Sequence, residues 1–153
     1  MKFSEQISAF VAKTETKASI IFKNSCNRVS KEIAYKTPVS TGRLMGSWSP
    51  GINEQKSYSF KGGPSAWNHD LTEKDAATEA ANTATALSDV EPRIESTTAN
   101  LSWTDTYYFT NSTPWAKQAE HEGWLKTDRY AMRENAILQW NSIVTEEINK
   151  LKK

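Results

Sequence analysis

The chain has 153 residues, 24% of them charged and 37% hydrophobic, with a formal net charge of +1. This describes one soluble globular domain, long enough to bury about two thirds of the surface of its unfolded chain. With a single cysteine, Cys26, it cannot be a secreted disulfide scaffold, and it has no run of about 18 apolar residues to span a membrane.

The N-terminal "MKFSEQISAF" lacks an apolar run fit for a signal peptide, so we expect the chain to remain in the cell that makes it, or in something assembled there. Six tryptophans are many for this length and suit either a core or a protein–protein contact surface. The charge is unevenly spread. Residues 1–36 hold seven Lys/Arg against three Glu, a net of +4, whereas residues 53–106 hold four against nine Asp/Glu, a net of −5. A DNA-binding domain more often shows one dominant basic face. Two readings stand: opposite patches that let copies associate, or two ordinary solvated faces.

In chain order, Phe3, Ile7, Phe10, Val11, Ala18, Ile21, Phe22, Cys26, Val29 and Ile33 recur at helical spacing. They predict one long helix ending near Lys36, because the residue before Pro38 avoids the α region. Cys26 then reads as a buried small hydrophobe rather than a nucleophile. Thr37-Pro38 opens a turn in which Gly42 supplies a positive φ. Alternation over 44–49 predicts a strand stopped by Pro50-Gly51, and 53–68, with Gly62-Gly63-Pro64, reads as an exposed loop. Thr72 to Asp75 resembles a capping box, opening a helix to about Leu87 whose stripe is Ala76, Ala80, Ala84 and Leu87. The segment 94–105 is ambiguous, with Trp103 its one large anchor. "TYYFTN" (106–111) is the clearest strand. Thr113 as N-cap with Pro114 at the first helical position opens a short helix closed by Gly123. Thr127 or Asp128 caps the last helix, which runs to about Leu151 with Ile137, Trp140, Val144, Ile148 and Leu151 on one face. The expected fold is α+β: a single domain whose long terminal helices pack on a small antiparallel sheet, with a loop and middle helix inserted over about 53–92. Phe10, Phe22, Ile33, Trp140, Val144 and Ile148 are expected to be covered in that packing.

No constellation suits catalysis. His69 and His121 lack partners at zinc spacing, and Glu146-Glu147 reads as the polar side of the last helix. Gly62-Gly63 lacks the rest of a phosphate loop. Asn111-Ser112-Thr113 matches a glycosylation sequon without a secretory context. We therefore expect no enzyme activity, no metal and no cofactor.

The stretch "TPVSTGRLMGSW" (37–48), following a long amphipathic helix, resembles the Thr-Pro-Val-x-Thr-Gly-x-Leu-x-x-Ser-Trp segment of tailed-bacteriophage neck and tail-completion proteins. "YYFTNSTPWAKQAEHEGW" (107–124) is similar to that family's strand, its Thr-Asn-x-x-Pro-aromatic-Ala turn, and its Glu before a Gly. "AMRENA" (131–136), opening the final helix, agrees more weakly. The resemblance implies a virion structural protein in the head–tail connector. Such a protein forms a sixfold or twelvefold ring between the portal and head-closure proteins and the tail terminator or tail tube. DNA passes through the lumen without sequence-specific binding, and no membrane is involved. Assembly takes place in the bacterial cytoplasm.

In that role Pro38 and Gly42 shape the turn, and Arg43 projects from its end to pair with a carboxylate or backbone carbonyls, in its own subunit or the next. Trp115 and Trp124 either close the core or anchor an interface. Glu120, Lys13 and Lys17 complete the candidate interface set, the lysines facing the acidic 70–95 region of a neighbour. The competing reading is a small DNA-binding or packaging module that uses the basic first helix. Steep loss of affinity with salt would distinguish it.

Overall fold

A computed structural model describes residues 2–68, 70, 73–123 and 130–153. The element order is α1 (Phe3–Lys36), α2 (Arg43–Gly46), β1 (Trp48–Ile52), α3 (Ala76–Thr98), β2 (Tyr107–Asn111), α4 (Ala116–His121) and α5 (Met132–Lys150). The fold is α+β, with long terminal helices and one two-stranded antiparallel sheet.

The C-terminal half of α1 is the axis of the fold. It packs against α5 on one side and α3 on another. The sheet lies across it: Ser30 Oγ and the Tyr107 hydroxyl are 2.7 Å apart, and the Trp48 indole donates to Thr37 Oγ1 at 2.8 Å. Ile33, Ala34, Leu44, Trp48, Val90, Ile94, Ala119, Met132 and Ala136 form the main core. Full burial of Val90 and Ile94 contributes about 1.5–3 kcal/mol for each. In β1–β2, Trp48 faces Asn111 and Pro50 faces Phe109. This register sets Trp48 and Phe109 diagonally on one face, stacked with centroids 4.9 Å apart. Cys26 is buried as expected, and burial pushes its thiol up to about 12.

Several elements depart from their sequence-based outlines. Of the alternation at 44–49 only Trp48 and Ser49 are strand: Gly42 at φ +80° enters a single helical turn over 43–46, closed by Gly46 N–H to Gly42 O and Ser47 N–H to Arg43 O. The strand begins at Trp48 and runs through Pro50-Gly51. Proline is tolerated because each strand of a two-stranded sheet has a free edge that needs no donor. The loop after it is anchored by Phe60, packed against Val39 and Met45, and by buried Ala66.

Helix α3 does not stop near Leu87. It passes through Pro92, which is exposed, to Thr98. Its buried line is Asn82, Ala86, Val90, Ile94 and Thr98, each four residues apart. The expected Ala76, Ala80 and Ala84 stripe faces outward. The N-cap is Asp75, which accepts from Thr78 N–H; Thr72 lies outside the described residues, as do Thr127 and Asp128. Helix α4 starts at Ala116 rather than Pro114, because Thr113 is drawn back to Asn111, whose Oδ1 accepts both the Thr113 N–H and its hydroxyl.

Glu147 is not on a polar face. It is 3% exposed and binds Arg28 at 2.9 Å, Lys150 at 2.7 Å and Asn24 at 3.3 Å. Burial opposes its charge, but the hydrogen bonds from Lys150 and Arg28 prevail and hold the carboxyl below its ordinary value. Trp103 is no anchor, being 48% exposed. Of the six apolar residues expected to be covered, Ile33 is buried; Phe22, Trp140 and Val144 are half-buried; Phe10 and Ile148 are exposed.

Candidate subunit interface

The turn after α1 is built by its own sequence. Thr37 Oγ1 donates to Ile33 O at 2.8 Å and accepts the Trp48 indole, so the helix end and the strand start share one hydroxyl. Pro38 is half-buried and Val39 reaches the second core cluster with Met45 and Ala86. Thr41 Oγ1 accepts the Arg43 N–H at 3.2 Å. At Gly42 a Cβ would lie 2.8 Å from the Asn82 carbonyl oxygen, so this position requires glycine for space as well as for its φ.

The two segments that carry the family resemblance meet here. Asn111 Nδ2 donates to Leu44 O at 2.7 Å, and the Arg43 guanidinium lies 5.0 Å from the centroid of the Trp115 ring. Within the chain this cation–π contact is the interaction seen for the Arg43 guanidinium among the described residues. Among the described residues its Nε, though buried, has no acceptor, and no carboxylate pairs with it. Trp115 itself is half-buried against the main core.

The remaining candidates are scattered. Lys13 and Lys17 lie on the exposed N-terminal half of α1, far along the helix from the turn. Glu120 is only 9% exposed and turns inward. Its carboxylate accepts Arg133 N–H at 2.9 Å and Glu134 N–H at 3.2 Å, satisfying two free donors at the start of α5. Trp124 lies outside the described residues. An open groove of about 630 Å³ runs beside Trp48 and Phe109, with Lys56, Lys117, His121 and Arg133 among its lining.

Three features were not read from the sequence. Arg93 performs the carbonyl binding assigned to Arg43: it donates to Gly46 O at 2.5 Å and Trp48 O at 3.2 Å, pairs with Asp89, and covers the Tyr58 ring at 3.6 Å. The Asp89–Arg93 spacing of four was the available signal, hidden by the assumption that the helix had ended. Asn82 ties Ser40 O and Pro64 O together at 2.6 and 2.8 Å. The third is an apolar surface. Phe3, Ile7, Phe10 and Val11 are 77%, 48%, 69% and 46% exposed on α1, and Ile137 and Leu138 are 65% and 75% exposed on α5.

The acidic residues of α3 are partly engaged within the chain: Lys31 holds Glu95 at 2.8 Å and the Tyr35 hydroxyl donates to Glu91 at 2.8 Å. No protein-family model, no curated protein and no solved structure matches this chain.

Proposed function

We propose that the chain is a non-enzymatic structural subunit of a tailed-phage neck, assembling as a ring between the capsid portal side and the tail. One observation carries this reading. The two segments that resemble the neck and tail-completion family, distant in sequence, interlock through Asn111–Leu44, Trp48–Phe109 and Arg43–Trp115. Segments of one motif are expected to pack together, and the contacts between these two support the reading. That unit leaves the Arg43 side chain half-exposed over Trp115, positioned for a carboxylate of an adjacent copy.

The DNA-binding alternative is weaker. Arg28, Lys31 and Lys36 of α1 already face Glu146/Glu147, Glu95 and Glu32 of their own chain. The exposed lysines Lys13 and Lys17 follow the exposed Phe10 and Val11 and flank Glu15, a poor surface for phosphates.

Negative-stain electron microscopy of the purified chain, alone and mixed with phage tail fragments, tests the reading. Closed rings of uniform diameter that cap tail ends are the expected result. A monomer that binds duplex DNA with a steep salt dependence would instead establish the alternative.

A further inference from the structure

Residues 2–17 are all exposed. Ser19 is tied to the body, its hydroxyl accepting Trp103 N–H at 3.2 Å. The first half of α1 is thus a helical arm standing clear of the body. A free helix of this length is marginal in water, and helices persist mainly by packing an apolar face. This arm has such a face: Phe3, Ile7, Phe10 and Val11 lie at gaps of four, three and one along one side.

We propose that the arm docks on a second copy of this chain, its apolar stripe covering Ile137 and Leu138 of that copy. The receiving site belongs to the same sequence. Ile137 and Leu138 are adjacent and strongly exposed on α5. The arm cannot reach them in its own chain. Met132 and Ala136 share a core with Ile33 and Ala34, so this part of α5 lies level with the far end of α1. Phe10 is 23 residues from Ile33, about 35 Å along a continuous helix. Donor and acceptor patches so separated can be exchanged reciprocally in a two-fold dimer, or can join head to tail, which closes into a ring or runs on as a filament.

The area suffices. Two phenylalanines bury about 150–250 Å² each. With Ile7, Val11 and the receiving surface, each contact approaches the roughly 1,000 Å² of a specific interface. The charges disfavour a lipid surface, because the arm mixes Lys2, Lys13 and Lys17 with Glu5 and Glu15 instead of presenting a cationic face.

Ring closure rests on the proposed function, but the arm contact is testable apart from it. The full-length Phe10→Cys/Leu138→Cys double variant, treated with a short bis-maleimide, should give covalent multimers, while either single variant should not. Cys26 is buried and stays silent. Phe10→Ser or Leu138→Asp should weaken self-association about tenfold or more by sedimentation, with circular dichroism of the body unchanged. Cross-linked two-fold dimers or open filaments would uphold the arm and overturn the ring. Rings that persist in Phe10→Ser without cross-linking would overturn the arm and leave the ring. A monomeric wild-type chain, or arm-dependent binding to phosphatidylglycerol vesicles without self-association, would overturn the arm contact outright.

Discussion

Thr37 to Trp48 and Phe3 to Thr14 are both twelve-residue stretches of one chain, and they end in opposite conditions. In the first, Thr37, Val39, Thr41, Gly42, Leu44, Met45, Ser47 and Trp48 each have a partner inside the chain. In the second, every residue is exposed. The first is irregular in sequence, because each position solves a different local problem. The second is periodic, as a surface that meets another helix face is periodic. The contrast separates what the chain holds together by itself from what it offers to something else. With the proposed arm contact, it places stability in the turn and association in the arm.

The sharpest way to break this contrast is at Trp48. Trp48→Ala removes the stacking on Phe109, opens the main core and takes away the indole donor to Thr37 Oγ1. A loss of about 3–5 kcal/mol in denaturant unfolding is expected. A loss under about 1 kcal/mol would mean that the turn is not the structural centre.

Next in size is Gly42→Val. A β-branched residue at φ +80° costs about 1–2 kcal/mol for the left-handed backbone alone. The collision with the Asn82 carbonyl should raise the total to roughly 2–4 kcal/mol. A thermal melt of the isolated chain measures it. Near-wild-type melting would show that the turn relaxes freely and does not fix the angle between α1 and β1.

These two residues also show what could be read before the fold was known. Gly42 was legible because a turn glycine acts through its own backbone freedom, whereas Trp48 was legible as part of a strand but not as a centre of the core. The one-turn helix at 43–46 was not, since four residues of alternation fit a strand equally well. The extent of α3 was misjudged because only the stripe Ala76, Ala80, Ala84 and Leu87 was followed, whereas the i, i+4 line through Ala86, Val90 and Ile94 continues to Thr98. The exposure of Phe10 was hidden for another reason. Periodicity reveals that a face will be covered, not whether the same chain covers it. Of the candidate interface set, Arg43 and Trp115 come together, yet Glu120 is occupied in capping α5, which depends on a tertiary contact that sequence spacing does not display.

A third measurement sharpens the boundary between body and arm, since Glu147 sits where α5 holds the last part of α1 before the arm begins. Its folded carboxyl is held below the ordinary value near 4.5. The unfolded chain therefore binds the extra proton first as pH falls. The stabilisation is present above about pH 5 and is lost as pH drops through the folded value. Glu147→Gln should flatten the acid limb of a stability–pH profile below pH 5 and cost about 1 kcal/mol at pH 7. An unchanged acid limb would count against the Arg28–Glu147 contact. Arg43→Ala, which loses one cation–π contact, should cost about 0.5–1 kcal/mol and leave the monomer folded. A loss comparable to Gly42→Val in a melt would make Arg43 an internal strut.

The smallest expected effect on the single chain is at Ile7, and its smallness is the point. Ile7 is 48% exposed and lies beyond the body. Ile7→Ser removes no intramolecular packing, so the unfolding free energy of the dilute chain should change by less than about 0.5 kcal/mol. Serine is a slightly poorer or equal helix former, which affects only an arm already free to fray. Denaturant unfolding should be followed by tryptophan fluorescence, because Trp48 and Trp140 report on the body and no tryptophan lies in the arm. At high protein concentration the same variant should lose whatever stabilisation association adds, because a partner that binds only the folded state raises its apparent stability. The wild-type midpoint should therefore rise with concentration and the Ile7→Ser midpoint should not. A drop of more than about 1 kcal/mol in the dilute variant would place the arm against the body in solution, and the contrast between the two stretches would fail.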